Sequence, residues 1–129
     1  LKRSNEYASF IMDGIVNNSE VTINANVMNK NYIDNLPSNC CVEVPCSVNS
    51  NGYTPQKFGR LPEHLAALMR TNINVHILTA EAAITKKREH IYHAALLDPL
   101  TAANLTIDEI YSMTDKMIDA HSNFLPKYT

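Results

Sequence analysis

Apolar and polar residues alternate along the first half of the chain in patterns that predict one helix followed by three strands. In residues 3–17 the apolar side chains recur at helical spacing along one face, and Ser4 is suited to the N-cap. Residues 20–29 alternate strictly between apolar and polar, which predicts a strand with one buried face. Two more strands are predicted over residues 41–48 and 53–58, separated by a turn rich in asparagine.

Two prolines fall inside these predicted strands. Pro45 lies in the second strand and Pro55 in the third. Because proline has no N–H to donate to a neighbouring strand, it is confined to sheet edges and bulges. We therefore expect an edge position or a bulge at Pro45, and an edge strand at Pro55.

The second half of the chain has the periodicity of helices. A long helix is predicted over residues 62–84, with Pro62 in its first turn and Glu63 near the positive end of the helix dipole. Its apolar side chains cover more than one face. Such a helix is either buried on several sides or packed against another subunit, and we expect it to pack against another subunit.

Two further helices are predicted beyond a run of three basic residues. The first covers residues 87–97, and Asp98 followed by Pro99 ends it. The last begins with a capping box in which Thr106 is the N-cap and Glu109 follows three residues later. The order of one helix, three strands and three helices is that of an α+β domain, with a small antiparallel sheet and packed helices.

The composition limits what this domain can do. The 129 residues fit one domain, carry a net charge of −2, and are 45% hydrophobic and 19% charged. These values exclude a basic nucleic-acid-binding module and a disordered tail. No apolar run approaches the roughly 20 residues that a membrane span needs. With only three glycines, the chain has no G-x-G-x-x-G fingerprint and no P-loop.

Three cysteines, Cys40, Cys41 and Cys46, lie within seven residues of each other. Adjacent cysteines on a strand point to opposite faces and can hardly pair. The spacing between Cys40 and Cys46 is longer than zinc ligands usually have. We therefore interpret all three as reduced, buried cysteines of a cytoplasmic protein, with metal binding by Cys40, Cys46 and a histidine as the alternative.

Several other side chains could take part in catalysis or binding, but each also has a simpler structural interpretation. Glu43 on the second strand has two interpretations. It is a catalytic base or a ligand, or, more simply, it is an exposed carboxylate. His90 and His93 lie one helical turn apart, yet they follow a basic run that favours a solvated face. Arg3 and Ser4 at a helix start could bind an anionic or hydroxylated ligand, and a plain helix cap is the simpler interpretation. Three asparagines suit turns in the connection between the first two strands: Asn29, Asn35 and Asn39.

Several short motifs occur in one register along nearly the whole chain: Glu6-Tyr7-Ala8, Asn35-Leu36-Pro37, Val42-Glu43-Val44-Pro45, Asn51-Gly52 with Pro55, Gly59-Arg60-Leu61-Pro62, Leu97-Asp98-Pro99 and Asp108-Glu109-Ile110. Together they resemble the C-terminal part of glycoside hydrolase family 4. Within that family, residues 34–37, 40–44 and 69–75 look most like the α-galactosidase (melibiase) branch.

The resemblance implies a C-terminal domain of the lactate and malate dehydrogenase type over residues 1–129, preceded by an NAD-binding domain outside this chain. In this family NAD⁺ takes a hydride from C3 of the sugar, a base removes the C2 proton, and the glycosidic oxygen is eliminated before water adds. A divalent metal, typically Mn²⁺, stabilises the intermediate. The implied activity of the full-length enzyme is hydrolysis of α-galactosides with NAD and Mn as cofactors.

The residues that hold the metal and NAD in this family correspond to no position of this chain. The resemblance therefore assigns no catalytic, cofactor-binding or metal-binding residue here, and we expect the fragment alone to be inactive. Arg3 and Ser4 are the candidates for lining the sugar site, because the matching helix start faces the active site in the dehydrogenase-like fold. At positions 28 and 30, members of the family this chain resembles often carry a basic residue and a glycine, whereas this chain has Met28 and Lys30.

Two alternatives stay open. An α-glucosidase or 6-phospho-glycosidase of the same family needs a basic phosphate pocket, for which the chain offers only the run Lys86-Lys87-Arg88. A stand-alone interaction module with a dimerising helix face is the second alternative. For the complete enzyme we expect a cytoplasmic homo-oligomer that acts on an α-galactoside substrate and binds neither nucleic acid nor membrane.

Overall fold

The computed structural model describes residues 6–129, and the chain divides between Leu61 and Pro62 into two compact units. The first, the sheet unit, contains α1 (Ala8–Asn17), β1 (Val21–Met28), β2 (Cys41–Asn49) and β3 (Gly52–Pro55). The second, the helical unit, contains α2 (Glu63–Thr85), α3 (Arg88–Leu97), α4 (Pro99–Asn104) and α5 (Ile107–Ala120). The predicted α+β class, with a small antiparallel sheet and packed helices, is confirmed.

The three strands form one antiparallel sheet in the order β1-β2-β3. The register between β1 and β2 runs without interruption from Val21 opposite Val48 to Met28 opposite Cys41. One face of β2 is buried, and it carries the side chains that the alternation predicts: Val42, Val44, Cys46 and Val48. The predicted in-and-out pattern of these two strands is therefore confirmed.

Pro45 lies in the middle strand without a bulge, so the expectation of an edge position or a bulge is wrong for this residue. Its carbonyl accepts a hydrogen bond of 2.8 Å from the N–H of Gln56, just past the end of β3. In an antiparallel strand the N–H and C=O of one residue point to the same neighbour. The N–H that proline lacks would therefore have pointed to the end of β3. The hydrogen bonds between β1 and β2 are unaffected. Pro55 lies in the edge strand β3, as predicted.

α1 begins at Ala8 with Tyr7 as its N-cap, so the predicted start near residue 3 is wrong. Ser4, the predicted N-cap, lies outside the described residues. The helix packs on the sheet through Gly14, its one buried residue. A Cβ atom at Gly14 would lie 3.0 Å from the carbonyl oxygen of Ser19 and 3.3 Å from that of Val48. Glycine is required here because both neighbours are backbone atoms that cannot rotate away.

The helical unit contains one helix that the sequence pattern does not predict. Asp98 ends α3 as expected, and its carboxylate also accepts hydrogen bonds of 2.9 Å from the N–H groups of Leu100 and Thr101. Pro99 is the first residue of the new helix, a position where its missing N–H costs nothing. The pair Asp98-Pro99 therefore both ends α3 and begins α4.

The capping box predicted for the last helix is confirmed at the start of α5. The carboxylate of Glu109 accepts a hydrogen bond of 2.8 Å from the N–H of Thr106, and the hydroxyl of Thr106 accepts one of 3.4 Å from the N–H of Glu109. These hydrogen bonds lower the pKa of Glu109, because the backbone N–H and then the hydroxyl of Thr106 favour its ionised form.

Candidate functional site

The structure describes some, but not all, of the side chains that the sequence singles out. Arg3 and Ser4 lie outside the described residues. Glu43 is exposed on the polar face of β2, opposite Asn26 of β1. Within residues 6–129, no group of three or more His, Cys, Asp or Glu side chains could hold a metal ion. His90, the one histidine that is not exposed, lies 3.1 Å from the hydroxyl of Thr85 through its Nδ1 atom.

The three cysteines are free thiols, and two of them are buried. The expectation that all three are buried is wrong for Cys41, which is exposed at the first position of β2. Strand alternation explains the difference, because Cys41 and Cys46 point to opposite faces of the sheet. Cys40 is buried, and this burial raises the pKa of its thiol and disfavours the thiolate.

Asn29 is the organising residue of the connection between β1 and β2. Its side chain is fully buried, and its Nδ2 atom lies 3.0–3.1 Å from the carbonyl oxygens of Ile33, Leu36 and Pro37. Its Oδ1 atom accepts a hydrogen bond of 2.8 Å from the N–H of Ile33. The main chain of Asn29 adds hydrogen bonds to Cys40 and Tyr32. We call residues 29–40 the Asn29 loop.

The Asn29 loop holds two residues in the left-handed region of the backbone. Lys30 has a φ of 40° and Asn31 a φ of 67°. Asparagine tolerates this region, whereas a lysine there is strained. A glycine would adopt the positive φ of Lys30 without steric cost. The lysine is held in place by a hydrogen bond of 3.0 Å from its N–H to the carbonyl of Ser38.

A second asparagine fastens the same loop to the end of the sheet unit. The side-chain amide of Asn35 donates to the carbonyl of Leu61 at 2.9 Å and accepts from the N–H of Leu61 at 3.0 Å. Asp34 forms an ion pair of 2.9 Å with Lys57. Of the asparagines that the sequence suggests as turn formers, Asn35 therefore links distant segments, whereas the Asn29 side chain bonds within its own loop.

The helical unit contains a cluster of polar side chains that joins α3 to α5. The guanidinium of Arg88 donates at 2.7 Å to the hydroxyl of Tyr92 through Nε and at 2.7 Å to the carboxylate of Asp115 through Nη2. The Tyr92 hydroxyl donates to the same carboxylate oxygen. The rings of Tyr92 and Tyr111 stack with centroids 4.5 Å apart. These four residues are the Arg88 cluster.

The hydrogen bonds of the Arg88 cluster shift the pKa values of its members in opposite directions. The Tyr92 hydroxyl and the Arg88 guanidinium lower the pKa of Asp115. The carboxylate of Asp115 raises the pKa of Tyr92 and that of Arg88. The polar side chains of Arg88, Tyr92 and Asp115 are thus hydrogen-bonded to one another. This arrangement makes the cluster a link between two helices and leaves no free acid or base for catalysis.

We expect the stability of the protein to depend on pH through Asp115. The ionised carboxylate contributes its full share of the free energy of unfolding above the ordinary Asp pKa of 3.8. This contribution is lost as the pH falls through the lower pKa of Asp115 in the folded protein. The difference in urea midpoint between the wild-type protein and Asp115→Asn should therefore be constant near neutral pH and shrink below about pH 4.

Asp119→Asn is the matched control for this experiment, because Asp119 is an exposed carboxylate on the same helix. Its midpoint should follow the wild-type midpoint at every pH. A difference for Asp115→Asn that stays the same down to pH 2 would show that the carboxylate is not stabilised in the folded state.

An apolar groove of 540 Å³ lies in the helical unit between α2, α3, α5 and the segment after α5. Its floor includes Ala82 of α2 and Ala94 of α3, which are both buried. Met113 and Met117 of α5 form one side. The lining is mostly apolar and has no carboxylate; its polar side chains are Thr79, Thr114, His121 and Tyr128. The groove is therefore suited mainly to apolar contacts.

Comparison with known proteins assigns the chain to a family. A model described as the family 4 glycosyl hydrolase C-terminal domain matches residues 1–101. The chain belongs to this family. The resemblance inferred from the short motifs is thereby confirmed.

Two relatives within the glycosyl hydrolase family have the same named activity. The chain is 47% identical over 127 residues to an α-galactosidase of Bacillus subtilis (strain 168), and 34% identical over 128 residues to one of Rhizobium meliloti (strain 1021). These alignments cover 98% and 99% of the chain. They cover only 29% and 26% of the two relatives, so the chain spans less than a third of their length.

The fold recurs in a solved structure of another enzyme. A 6-phospho-α-glucosidase from gut microorganisms, crystallised with NAD and Mn²⁺, matches 94% of the chain with a TM-score of 0.82. The matched region is 27% of that enzyme, and the sequence identity is 19%. At this identity the likeness establishes the fold of the chain and not its substrate.

The Asn29 loop and the Arg88 cluster were not predicted from the sequence. The only indication of the buried Asn29 side chain in the sequence is the number of asparagines between β1 and β2. For the Arg88 cluster, Arg88 and Tyr92 are four residues apart and so share a helix face, but Asp115 is 27 residues further on than Arg88. Only the packing of α3 on α5 brings them together.

Proposed function

We propose that the chain is the C-terminal part of a longer α-galactosidase. The observation that carries the proposal is 47% identity to an α-galactosidase over 98% of the chain. The second α-galactosidase, at 34% identity, supports the same substrate class. Because the chain matches less than a third of either relative, the activity is a property of the complete protein, with the NAD-binding domain preceding residues 1–129.

We further propose that the complete enzyme uses NAD and Mn²⁺, the two groups present in the structure that shares this fold. When bound, they supply hydride transfer and Lewis-acid stabilisation of negative charge. The side chains of residues 6–129 do not provide a ligand set for the metal. We therefore assign no catalytic step to these residues. Arg3 and Ser4 remain the candidates of this chain for contact with the sugar.

The experiment is an assay of the complete protein with the chromogenic substrate p-nitrophenyl α-galactoside. We expect turnover that requires NAD, Mn²⁺ and a reductant together, and no turnover of the 6-phosphorylated α-glucoside. The isolated 129-residue chain should be inactive under the same conditions. Preference for the phosphorylated glucoside would replace the proposal with the phospho-glycosidase alternative. Turnover by the isolated chain would contradict the assignment of the chemistry to the rest of the enzyme.

We place the enzyme in the cytoplasm and propose that it is a homo-oligomer. Cytoplasmic location is supported by the three free cysteines. Among the helices of residues 6–129, none combines the length and the apolar character needed to cross a membrane. For oligomerisation the support is a stripe on α2, where Leu65, Leu68 and Met69 are exposed at helical spacing. An ion pair of 3.5 Å between Glu63 and Arg70 lies on the same turns.

A single charge in the α2 stripe should disrupt the oligomer. Leu68 is 65% exposed, and Leu68→Glu places a carboxylate in the proposed contact between two subunits. We expect the complete protein with this substitution to dissociate, as measured by light scattering. Ile84→Glu is the matched control, because Ile84 is 77% exposed on the same helix but lies roughly 160° away from Leu68 around its axis. An unchanged mass for both variants would exclude the stripe as the interface.

A further inference from the structure

The outer edge of β1 is a row of main-chain groups with no strand beside it. β1 lies at one end of the sheet order β1-β2-β3, and within residues 6–129 no strand pairs with its outer side. Asn24 lies opposite Pro45, whose carbonyl points to β3, so the N–H and C=O of Asn24 point away from β2. By alternation along the strand, the same holds for Thr22, Asn26 and Met28.

The two edges of the sheet differ in how they are protected. Natural edge strands are usually short or interrupted by proline, lysine or a bulge, because an open edge pairs readily with other strands. β3 fits this description, since it has four residues and ends in Pro55. β1 has eight residues, pairs with β2 without a bulge, and contains neither proline nor a charged side chain. It therefore has the properties of an edge that pairs with a further strand.

The main chain of β1 is complementary to a second copy of itself in one antiparallel register. With Ala25 opposite Ala25 of the second copy, the outward residues form hydrogen-bonded pairs: Thr22 with Met28, and Asn24 with Asn26. Each pair exchanges two hydrogen bonds, which gives roughly eight across the edge. A shift of the register by two residues in either direction would lose one of these pairs.

The side chains suit the same register. Ile23 of one copy lies opposite Val27 of the other, and both are only half-buried in the single chain, so pairing covers apolar surface. Ala25 has the smallest side chain on this face and lies at the centre, where the two strands approach most closely. Glu20 and Lys30 are exposed at opposite ends of β1, so each carboxylate faces a lysine of the other copy.

We propose that the outer edge of β1 is an interface between two copies of the protein, in which the two β1 strands pair antiparallel about Ala25 and join the two sheets into one. Such an interface is isologous, because both copies contribute the same strand. The proposal adds a second contact to the homo-oligomer proposed above, but it rests on the sheet unit and not on the α2 stripe.

Ala25→Cys in the complete protein tests the register directly. In the paired strands the two Cα atoms at this position are about 4.5 Å apart, within the range of a disulfide. The background is Cys41→Ser, which removes the exposed thiol of the sheet unit. With copper–phenanthroline as the oxidant, most of the protein should run as a covalent dimer on a non-reducing gel. Ile23→Cys in the same background is the matched control and should stay monomeric on the gel, because it lies opposite Val27.

A proline at the outer edge of β1 should weaken the interface and leave the pairing of β1 with β2 intact. Asn24→Pro removes an outward N–H, and Tyr53→Pro does the same at the edge of β3, because Tyr53 alternates with the inward-pointing Gly52 and Thr54. In light scattering, Asn24→Pro should halve the mass of the complete protein, whereas Tyr53→Pro should keep it.

The Leu68→Glu background separates this interface from the α2 stripe. If the stripe is an interface, Leu68→Glu leaves the contact at β1, and Asn24→Pro added to it should give the monomer. If Leu68→Glu does not change the mass, Asn24→Pro alone should give the monomer. Both outcomes support the pairing of β1 strands, and they differ only in what they say of the stripe.

Two results would overturn the proposal. Equal yields of covalent dimer from Ala25→Cys and Ile23→Cys would show that the strands do not meet in this register. A wild-type mass for Asn24→Pro would show that the edge does not join two copies. A thermal midpoint below that of Tyr53→Pro would then assign the edge to the preceding part of the same polypeptide. Ala25→Cys introduces no proline, so its result stands even where Asn24→Pro does not fold.

Discussion

Replacement of Asn29 by alanine should destabilise the sheet unit by about 3 kcal/mol. Asn29→Ala removes the donor to the carbonyl oxygens of Ile33, Leu36 and Pro37 and the acceptor for the N–H of Ile33. Because Asn29 is fully buried, these groups would lose their partner in a place that water does not reach. Urea unfolding followed by circular dichroism measures the change.

Asn39→Ala is the control for this prediction, since Asn39 is an exposed asparagine of the same loop. Its unfolding free energy should differ from that of the wild-type protein by less than about 0.5 kcal/mol. Asn29→Asp is a second informative variant, because it keeps the acceptor and the shape but replaces the donating Nδ2 with an oxygen. It should be at least as unstable as Asn29→Ala. Equal stability of all four proteins would mean that the loop does not depend on its buried asparagine.

Valine in place of Gly14 should destabilise the sheet unit by about 3 kcal/mol or more. Even the Cβ atom would lie 3.0 Å from the carbonyl oxygen of Ser19 and 3.2 Å from Cγ2 of Val21. The two further methyl groups of valine cannot be placed without moving α1 away from the sheet. Alanine should cost less, because its better helix propensity, worth about 1 kcal/mol, offsets part of the close contact.

Met12→Val controls for the effect of a β-branched side chain in α1. Met12 is 66% exposed on the same helix, so valine there changes helix propensity without a steric conflict. Its unfolding free energy should fall by less than about 1 kcal/mol. A loss of stability in Met12→Val equal to that in Gly14→Val would attribute the effect to a β-branched side chain anywhere in α1 and would contradict the close packing of Gly14 on the sheet.

Local patterns predicted elements of both units. In β1 and β2, strict alternation identified the buried face, because side chains on a strand point alternately to its two sides. The capping box of Thr106 and Glu109 was equally local, since both partners lie within one helical turn. The motifs that identified the family also lie in short segments.

The candidate site was predicted less well than the fold. Arg3 and Ser4, the only residues proposed to approach the sugar, lie outside the described residues. The burial of Cys41 was wrongly predicted, because it starts a strand on the exposed face. The absence of a metal or NAD ligand on this chain stays a prediction. The proposal for the complete enzyme rests on the family match and on the relatives, and not on side chains of the described residues.

The sequence by itself determined the positions of most helices and strands, the buried face of the sheet and the family, since each depends on residues close together in the chain. Only the tertiary structure decided the place of Pro45 in the middle strand, the buried hub at Asn29 and the link between Arg88 and Asp115. The Asn29 side chain bonds residues only four to eight positions away, which the turns of the loop bring to it. The other two features depend on which distant segments become neighbours. That pairing is set by the packing of whole elements, which the local pattern of apolar and polar residues does not record.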